Sequence, residues 1–325
     1  MIVLRGFSLI DFLSIEVSSS QKVINYSNDD YHENFGFQWN KFNKLQLDSF
    51  NGSSESEERF FTQNNLKPAD LMNKTVLEVG AGCGRFTEIM LKYDARVIAV
   101  DYSSAIQANF HNHKQFSEND QLICIQADVF DMPLKKNSFD IVLCYGVIQH
   151  TGRNDACLNI LCEYLTDSGI LLVDIYPNSL KHYNPWVYLV RPFFSRIKNY
   201  ESQMNLVEKF VSFVFPFQLK LLTWLHKKKG ILKYIRYFVN RSPNSVYGIN
   251  LFLDGKISLE HAKDWSVMDT FDGWMPNHDD PVSKKEWEQL LQNISSIYDL
   301  KIDINKICGQ GYCAQLSKDV VPDSL

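Results

Sequence analysis

Three glycines, Gly80, Gly82 and Gly84, stand at alternate positions just after an apolar run that ends Glu78-Val79. Glycines so spaced let a backbone turn sharply and bring its amides, with those of Ala81, close to a ligand lying over the ends of strands. Glu78 precedes the first glycine by two positions. An acid there suits a cationic ligand better than a pyrophosphate, which seeks bare helix N–H groups. Asp101, followed by Tyr102, ends the next apolar run and could accept both hydroxyls of a ribose. Asp128, followed by Val129, comes just after the third and is placed to accept from a purine amino group. His150 follows the fourth run. An imidazole there could serve as a general base toward a hydroxyl. Structural readings compete at each position: helix capping for the two aspartates, loop organisation for Glu78, and a helix-start histidine bonded to backbone for His150.

These residues need elements to hold them. Short apolar runs at Thr75–Val79, Arg96–Val100, Leu122–Gln126, Phe139–Cys144 and Gly169–Ile175 alternate with helix-length segments. Near-continuous apolar strands of this kind are buried on both faces of a parallel sheet, and their spacing predicts a doubly wound α/β fold. Before them, residues 1–73 read as an irregular segment with an aromatic island, Phe35-Gly-Phe-Gln-Trp39. That island, with Trp39, could close over a ligand as a lid. After them, 181–241 reads as two or three helices broken near Pro192, Pro216 and Gly230. The acidic-aromatic stretch from Trp265 to Asp280 reads as a loop, in which Asp272, Trp274 and His278 are candidates to line a substrate pocket. A helix at Ser283–Asn293 and strands at Leu300–Ile304 and Gly311–Ser317 close the chain. The expected organisation is thus 1–73, a core of 74–180 and 283–325, and a helical cap over 181–282.

The 325 residues, 45% hydrophobic and 22% charged, are those of an ordinary globular protein. The net charge of −5 argues against a general nucleic-acid binder, and no nucleic-acid partner is expected. The charge is uneven. Residues 181–241 carry twelve basic side chains against two acidic ones. Such helices could cover their own core with solvated lysines outside, or lie against an anionic membrane surface, with Lys227-Lys-Lys229 beside Trp224 as the best patch. Seven cysteines without a C-x-x-C pair fit reduced buried thiols of a cytoplasmic protein, and no spacing suggests a metal site. No apolar run reaches the length of a transmembrane helix, and Met1–Ile10 lacks the marks of a signal peptide.

Glu78-x-Gly-x-Gly-x-Gly84, Asp101, Ala127-Asp128 and Phe139-Asp-Ile-Val-Leu-Cys-Tyr145 together resemble the class I S-adenosylmethionine-dependent methyltransferases over residues 74–176. The resemblance implies a Rossmann-like sheet, mostly parallel, with an antiparallel last strand supplied by Gly311–Ser317. It implies S-adenosylmethionine as cofactor, with Gly80 and Gly82 under the methionine moiety, Asp101 on the ribose, Asp128 and Val129 on the adenine, and Tyr145 facing the methionyl end. The Phe35–Trp39 motif, the basic insertion and Asp269-Thr-Phe-Asp-Gly-Trp-Met-Pro276 resemble a bacterial subgroup often found among genes for surface polysaccharide or lipid modification. That likeness implies an acceptor oxygen on a sugar or lipid-linked intermediate, and the basic helices of 181–241 would hold a cytoplasmic protein at the membrane inner face. An aromatic small molecule as acceptor, or a scaffold that binds the cofactor without turnover, are the alternatives.

Overall fold

The computed structural model describes residues 23–25, 33–178, 185–228, 230, 232–275, 280–308 and 311–318. The strands are β1 (Val23–Asn25), β2 (Thr75–Val79), β3 (Arg96–Asp101), β4 (Leu122–Gln126), β5 (Phe139–Cys144), β6 (Leu165–Ile175), β7 (Leu300–Cys308) and β8 (Gly311–Lys318). The helices are α1 (Glu33–Lys41), α2 (Asp48–Asn51), α3 (Glu55–Asn64), α4 (Arg85–Lys92), α5 (Ala105–Asn112), α6 (Lys114–Glu118), α7 (Asn154–Glu163), α8 (Pro185–Phe194), α9 (Tyr200–Leu225), α10 (Leu232–Val239), α11 (Tyr247–Leu253), α12 (Leu259–Trp274) and α13 (Lys284–Tyr298). The chain forms two compact units. One comprises Met1–Asn40, Glu57–His182 and His278–Leu325, the other Lys41–Ser56 and Tyr183–Asn277.

In the first unit the strands pair in the order β1-β4-β3-β2-β5-β6-β8-β7. All neighbours are parallel except β6 with β8 and β8 with β7, so the antiparallel strand expected at the end of the chain is present. The apolar runs explain the layering. Leu77, Val79, Ile98, Val100, Val142 and Cys144 pack with α7 and α13. Their alternates Val76, Val97, Ala99, Ile141 and Leu143 pack with α3 and α4. Side chains of a strand alternate between faces, so runs apolar at every position are what a sheet covered on both sides requires. The helix expected at Ser283–Asn293 begins there, with Ser283 and Glu286 forming a capping box, and continues to Tyr298. The edge strand β1 was not foreseen, because three residues in a polar setting carry no readable alternation.

The second unit is helical. The breaks expected near Pro192 and Gly230 are present, since α8 ends at Phe194 and α9 at Leu225, but two expectations are corrected. Pro216 lies inside α9 and does not end it. Proline removes one backbone hydrogen bond. Pro216 and Ser212, whose carbonyl loses its donor, are both exposed, so water can replace the bond. Burial of Val211, Phe215, Leu222 and Leu225 on the opposite side of α9 keeps the helix continuous through the proline. The second correction concerns the acidic-aromatic stretch, which is helix α12 as far as Trp274 and not a loop. Residues 41–56 belong to this unit. Glu55 accepts from Tyr247 Oη at 2.6 Å and pairs with Lys256 Nζ at 2.6 Å.

Candidate functional site

The glycine turn leaves β2 with Gly80, Gly82 and Gly84 all at positive φ (76°, 52° and 98°). Alike in sequence, the three do different work. A Cβ on Gly80 would lie 2.0 Å from Val147 Cγ2, and one on Gly84 would lie 2.5 Å from His113 Cε1 and 2.6 Å from Asn109 Oδ1. Those two are glycine because protein packs against them. A Cβ on Gly82 meets nothing within 4 Å. Its bare face opens on the space above the strand ends, a cradle that a side chain would fill. The amides of Gly80 and buried Ala81 are fixed by Val100 O at 2.8 and 3.1 Å.

Asp101 ties this turn to the next. Its Oδ2 accepts from Gly82 N at 2.7 Å, and its Oδ1 accepts from Ser103 N at 2.8 Å and Ser103 Oγ at 2.7 Å. Burial raises its pKa, and these three donors oppose the rise. The half-buried Tyr102 follows, its carbonyl accepting from Gln126 Nε2 at 3.2 Å. Just past β4, Asp128 Oδ1 accepts from Phe130 N at 2.9 Å and so closes a turn, with no helix there for it to cap, while Val129 is buried beside it. Helix α1 explains the glycine of the aromatic motif. A Cβ on Gly36 would lie 2.3 Å from Ser104 Oγ, and Asn40 Nδ2 donates to the same oxygen at 3.2 Å. Half-buried Trp39 therefore sits on a helix that abuts the Asp101–Ser104 turn. The side chain of Phe35 lies outside the described residues.

Glu78 is 3% exposed and points beneath the glycine turn. It accepts from Thr87 Oγ1, which accepts from Asn109 Nδ2 at 2.8 Å, and Asn109 Oδ1 lies 2.9 Å from His113 Nδ1. This buried chain was not visible in the sequence. It favours the loop-organising reading of Glu78. Burial pushes the Glu78 carboxyl up to about 8, helped by the nearby Asp101 charge, and pushes the His113 imidazole down to about 4. The sign for Glu78 follows from linkage. A carboxyl whose pKa rises on folding binds its proton more tightly in the native state, so stability falls as pH climbs from about 4.5 to about 8. Glu78→Gln should therefore melt several degrees higher than the parent at pH 8.5, with the gap closing toward pH 5. Thermal unfolding of the cofactor-free protein across that range checks it.

At the ends of β5 and β6, Tyr145 is buried, stacked edge-on against Phe86 with centroids 5.5 Å apart, and its hydroxyl donates to Asn64. Asp174 was not among the residues foreseen. This buried carboxylate accepts from Gly146 N at 2.6 Å and pairs with Arg59 at 3.4 Å. Burial raises its pKa, and Arg59 and the nearby His150 both oppose the rise. His150 closes a short turn, its amide bonded to Val147 O at 2.8 Å and its ring edge-on to Tyr176 at 5.7 Å. That bond is a main-chain one, and His150 ends the turn Ile148–His150 rather than starting a helix. The neighbouring Gln149 is fully buried, and its two amide atoms take no partner among the described residues. Its carbonyl accepts from Asp280 N at 2.8 Å.

The acceptor-side candidates fare differently. Trp274, expected on a pocket wall, is instead a core residue of the helical unit. It is 5% exposed, donates from Nε1 to Pro243 O at 2.9 Å, and lies between Phe194 and Phe210. The surrounding Asp-Thr box clasps a turn, with Ser245 N donating to Thr270 Oγ1 at 2.9 Å and Ser245 Oγ to Asp269 at 3.1 Å. Asp272 is half-buried on α12. His278 lies outside the described residues.

Comparison with known proteins gives this geometry a family. Residues 77–173 match the methyltransferase-domain family. The chain is 24% identical to an rRNA adenine N-6-methyltransferase of Bacteroides fragilis, over 62% of this chain and 85% of that one. It is 39% identical to phosphoethanolamine N-methyltransferase 1 of Triticum aestivum over 31% of this chain, spanning 21% of the wheat protein. Among solved structures, magnesium protoporphyrin IX methyltransferase of Synechocystis, with bound S-adenosylhomocysteine, is similar at 10% identity and a TM-score of 0.40, covering 90% and 89% of the two chains. With an open face at Gly82 and carboxylates at Asp101 and Asp128 inside the matched segment, residues 77–173 are a methyltransferase domain of the S-adenosylmethionine-dependent kind.

Proposed function

We propose that the chain transfers the methyl group to an oxygen of a sugar or lipid-linked intermediate. When bound, S-adenosylmethionine supplies an electrophilic methyl group that needs little further activation. The residues present fit it. Gly82 offers a face free of side chain, Asp101 would hold the ribose while pinning the Gly82 amide, and Asp128 with Val129 would meet the adenine. Gly80 and Ala81 would floor the methionyl end, with Glu78 shaping the turn from below. Trp39, on the helix against Ser104, would exclude water from the ribose side.

Gln149 carries the choice of acceptor. A buried amide without partners costs free energy unless something polar meets it. Its turn abuts Gly80 through Val147, next to the cradle. With His150 beside it, this edge favours an acceptor bearing several hydroxyls over a flat apolar ring. His150 would orient such a hydroxyl; in-line geometry in a desolvated pocket does most of the work, so a dedicated base is not required.

Gln149→Leu is expected to bind S-adenosylmethionine within about threefold of the parent and to lose methyl transfer by 100-fold or more, since a site built to hydrogen-bond a hydroxyl fails when that group is removed. Tritiated methyl transfer into a glycan and lipid-linked fraction checks it. Label recovered instead in small apolar metabolites would favour the aromatic acceptor. Tight cofactor binding with no transfer to any fraction would favour the scaffold.

A further inference from the structure

Helix α9 is apolar on two separate faces. Met204, Val207, Val211, Phe215, Leu222 and Leu225 recur at spacings of three, four and seven, and all are buried. Leu206, Phe213, Phe217, Leu221 and Trp224 recur at the same spacings about a third of a turn away, and all are exposed; Phe213 is 72% exposed, Phe217 68% and Trp224 55%. Residues so spaced line one face of a helix, so this is a second apolar stripe that the helical unit itself leaves uncovered. Helix α10, packed on α9, adds exposed Tyr234 and Phe238, one turn apart. A globular protein seldom shows large aromatics so densely without a use for them.

The charge around the stripe says what covers it. From Lys209 to Leu253 the chain holds eight basic residues and no acid. Lys209 and Lys220 fall within a quarter turn of the stripe, and exposed Lys227 and Lys228 follow its last residue, Trp224. A second copy of the chain would bring the same positive charges face to face, which disfavours a symmetric dimer through this face. No helix among the described residues is long and apolar enough to cross a membrane. Aromatics flanked by lysines on a helix that cannot span are the pattern of an element lying in the plane of an acidic bilayer surface.

We infer that the exposed face of α9, with α10, docks on an anionic lipid bilayer. The inference is independent of the methyl acceptor, because docking is read without cofactor or acceptor. Its failure would leave the cofactor site untouched.

The test is co-sedimentation of the full chain with phosphatidylglycerol-containing vesicles and with pure phosphatidylcholine vesicles. Binding to the anionic vesicles is expected, at least about tenfold weaker on the neutral ones and weakened by high salt. Phe213→Ser/Phe217→Ser/Trp224→Ser and Lys220→Glu/Lys227→Glu/Lys228→Glu should each cut binding at least about tenfold while circular dichroism remains that of the parent. Absence of binding by the parent chain overturns the inference, as does binding that neither variant weakens. A dimer in sedimentation velocity that the serine variant dissolves, with no vesicle binding, assigns the face to a second copy and overturns it as well.

Discussion

Gly82→Arg is expected to fold and to bind no S-adenosylmethionine. The position tolerates a side chain sterically, since a Cβ there meets nothing within 4 Å. Its φ of 52° lies in the left-handed region, which costs an ordinary residue about 1–2 kcal/mol. A loss of that size should lower the melting temperature by a few degrees and leave the circular dichroism spectrum unchanged. The arginine then occupies the cradle, and its charge repels the sulfonium. Affinity should fall at least about 1,000-fold, beyond detection in a calorimetric titration. Gly80→Arg is the contrast. There the new Cβ alone would sit 2.0 Å from Val147, so that variant should lose the fold itself. A Gly82→Arg protein that bound the cofactor normally would remove the glycine turn from the site.

Asp101→Ala should be equally silent in cofactor binding for a different reason. The carboxylate makes three hydrogen bonds that hold the Gly82 and Ser103 turns together. In the proposed complex it also accepts the ribose hydroxyls. Two charge-assisted hydrogen bonds lost to a ligand amount to about 3–6 kcal/mol, so a decrease of 100-fold or more is expected. The fold should survive. Burial raises the Asp101 pKa, so the ionised form is costly in the native state, and its removal offsets part of the lost bonding. S-adenosylhomocysteine should weaken in parallel, because it carries the same ribose. A variant that lost one ligand and kept the other would contradict the ribose assignment.

Much of this was legible because the physics was local. Strands β2 to β5 and the second half of β6 are near-continuous apolar runs, the glycines need positive φ, and Asp101 is the last residue of β3 while Asp128 is the second residue after β4. Any reading of those residues arrives at the same sheet. The failures had other causes. Whether Pro216 breaks a helix depends on what α9 buries on its far side, which no window around the proline reveals. Trp274 looked like a pocket residue because its acidic neighbours suggested a loop, but Thr270 and Asp269 were holding Ser245, over 20 residues away in sequence.

The same limit applied to the buried polar groups. Asp174 finds Arg59 across 115 residues, and Glu78 reaches His113 through two intermediaries. Pairings of that range leave no spacing to read. The equivalence of the three glycines was also an illusion of sequence. Only their surroundings separate Gly82, which faces open space, from Gly80 and Gly84, which face protein.

The most direct test of the central claim is a calorimetric titration of the purified chain with S-adenosylmethionine, S-adenosylhomocysteine and NAD, with Gly82→Arg run beside it. Micromolar binding of the first two, none of NAD, and none of any ligand by the variant is the expected result. Binding of NAD, or binding of S-adenosylmethionine that the arginine leaves intact, would contradict the assignment of the cofactor to the Gly82–Asp101 cradle.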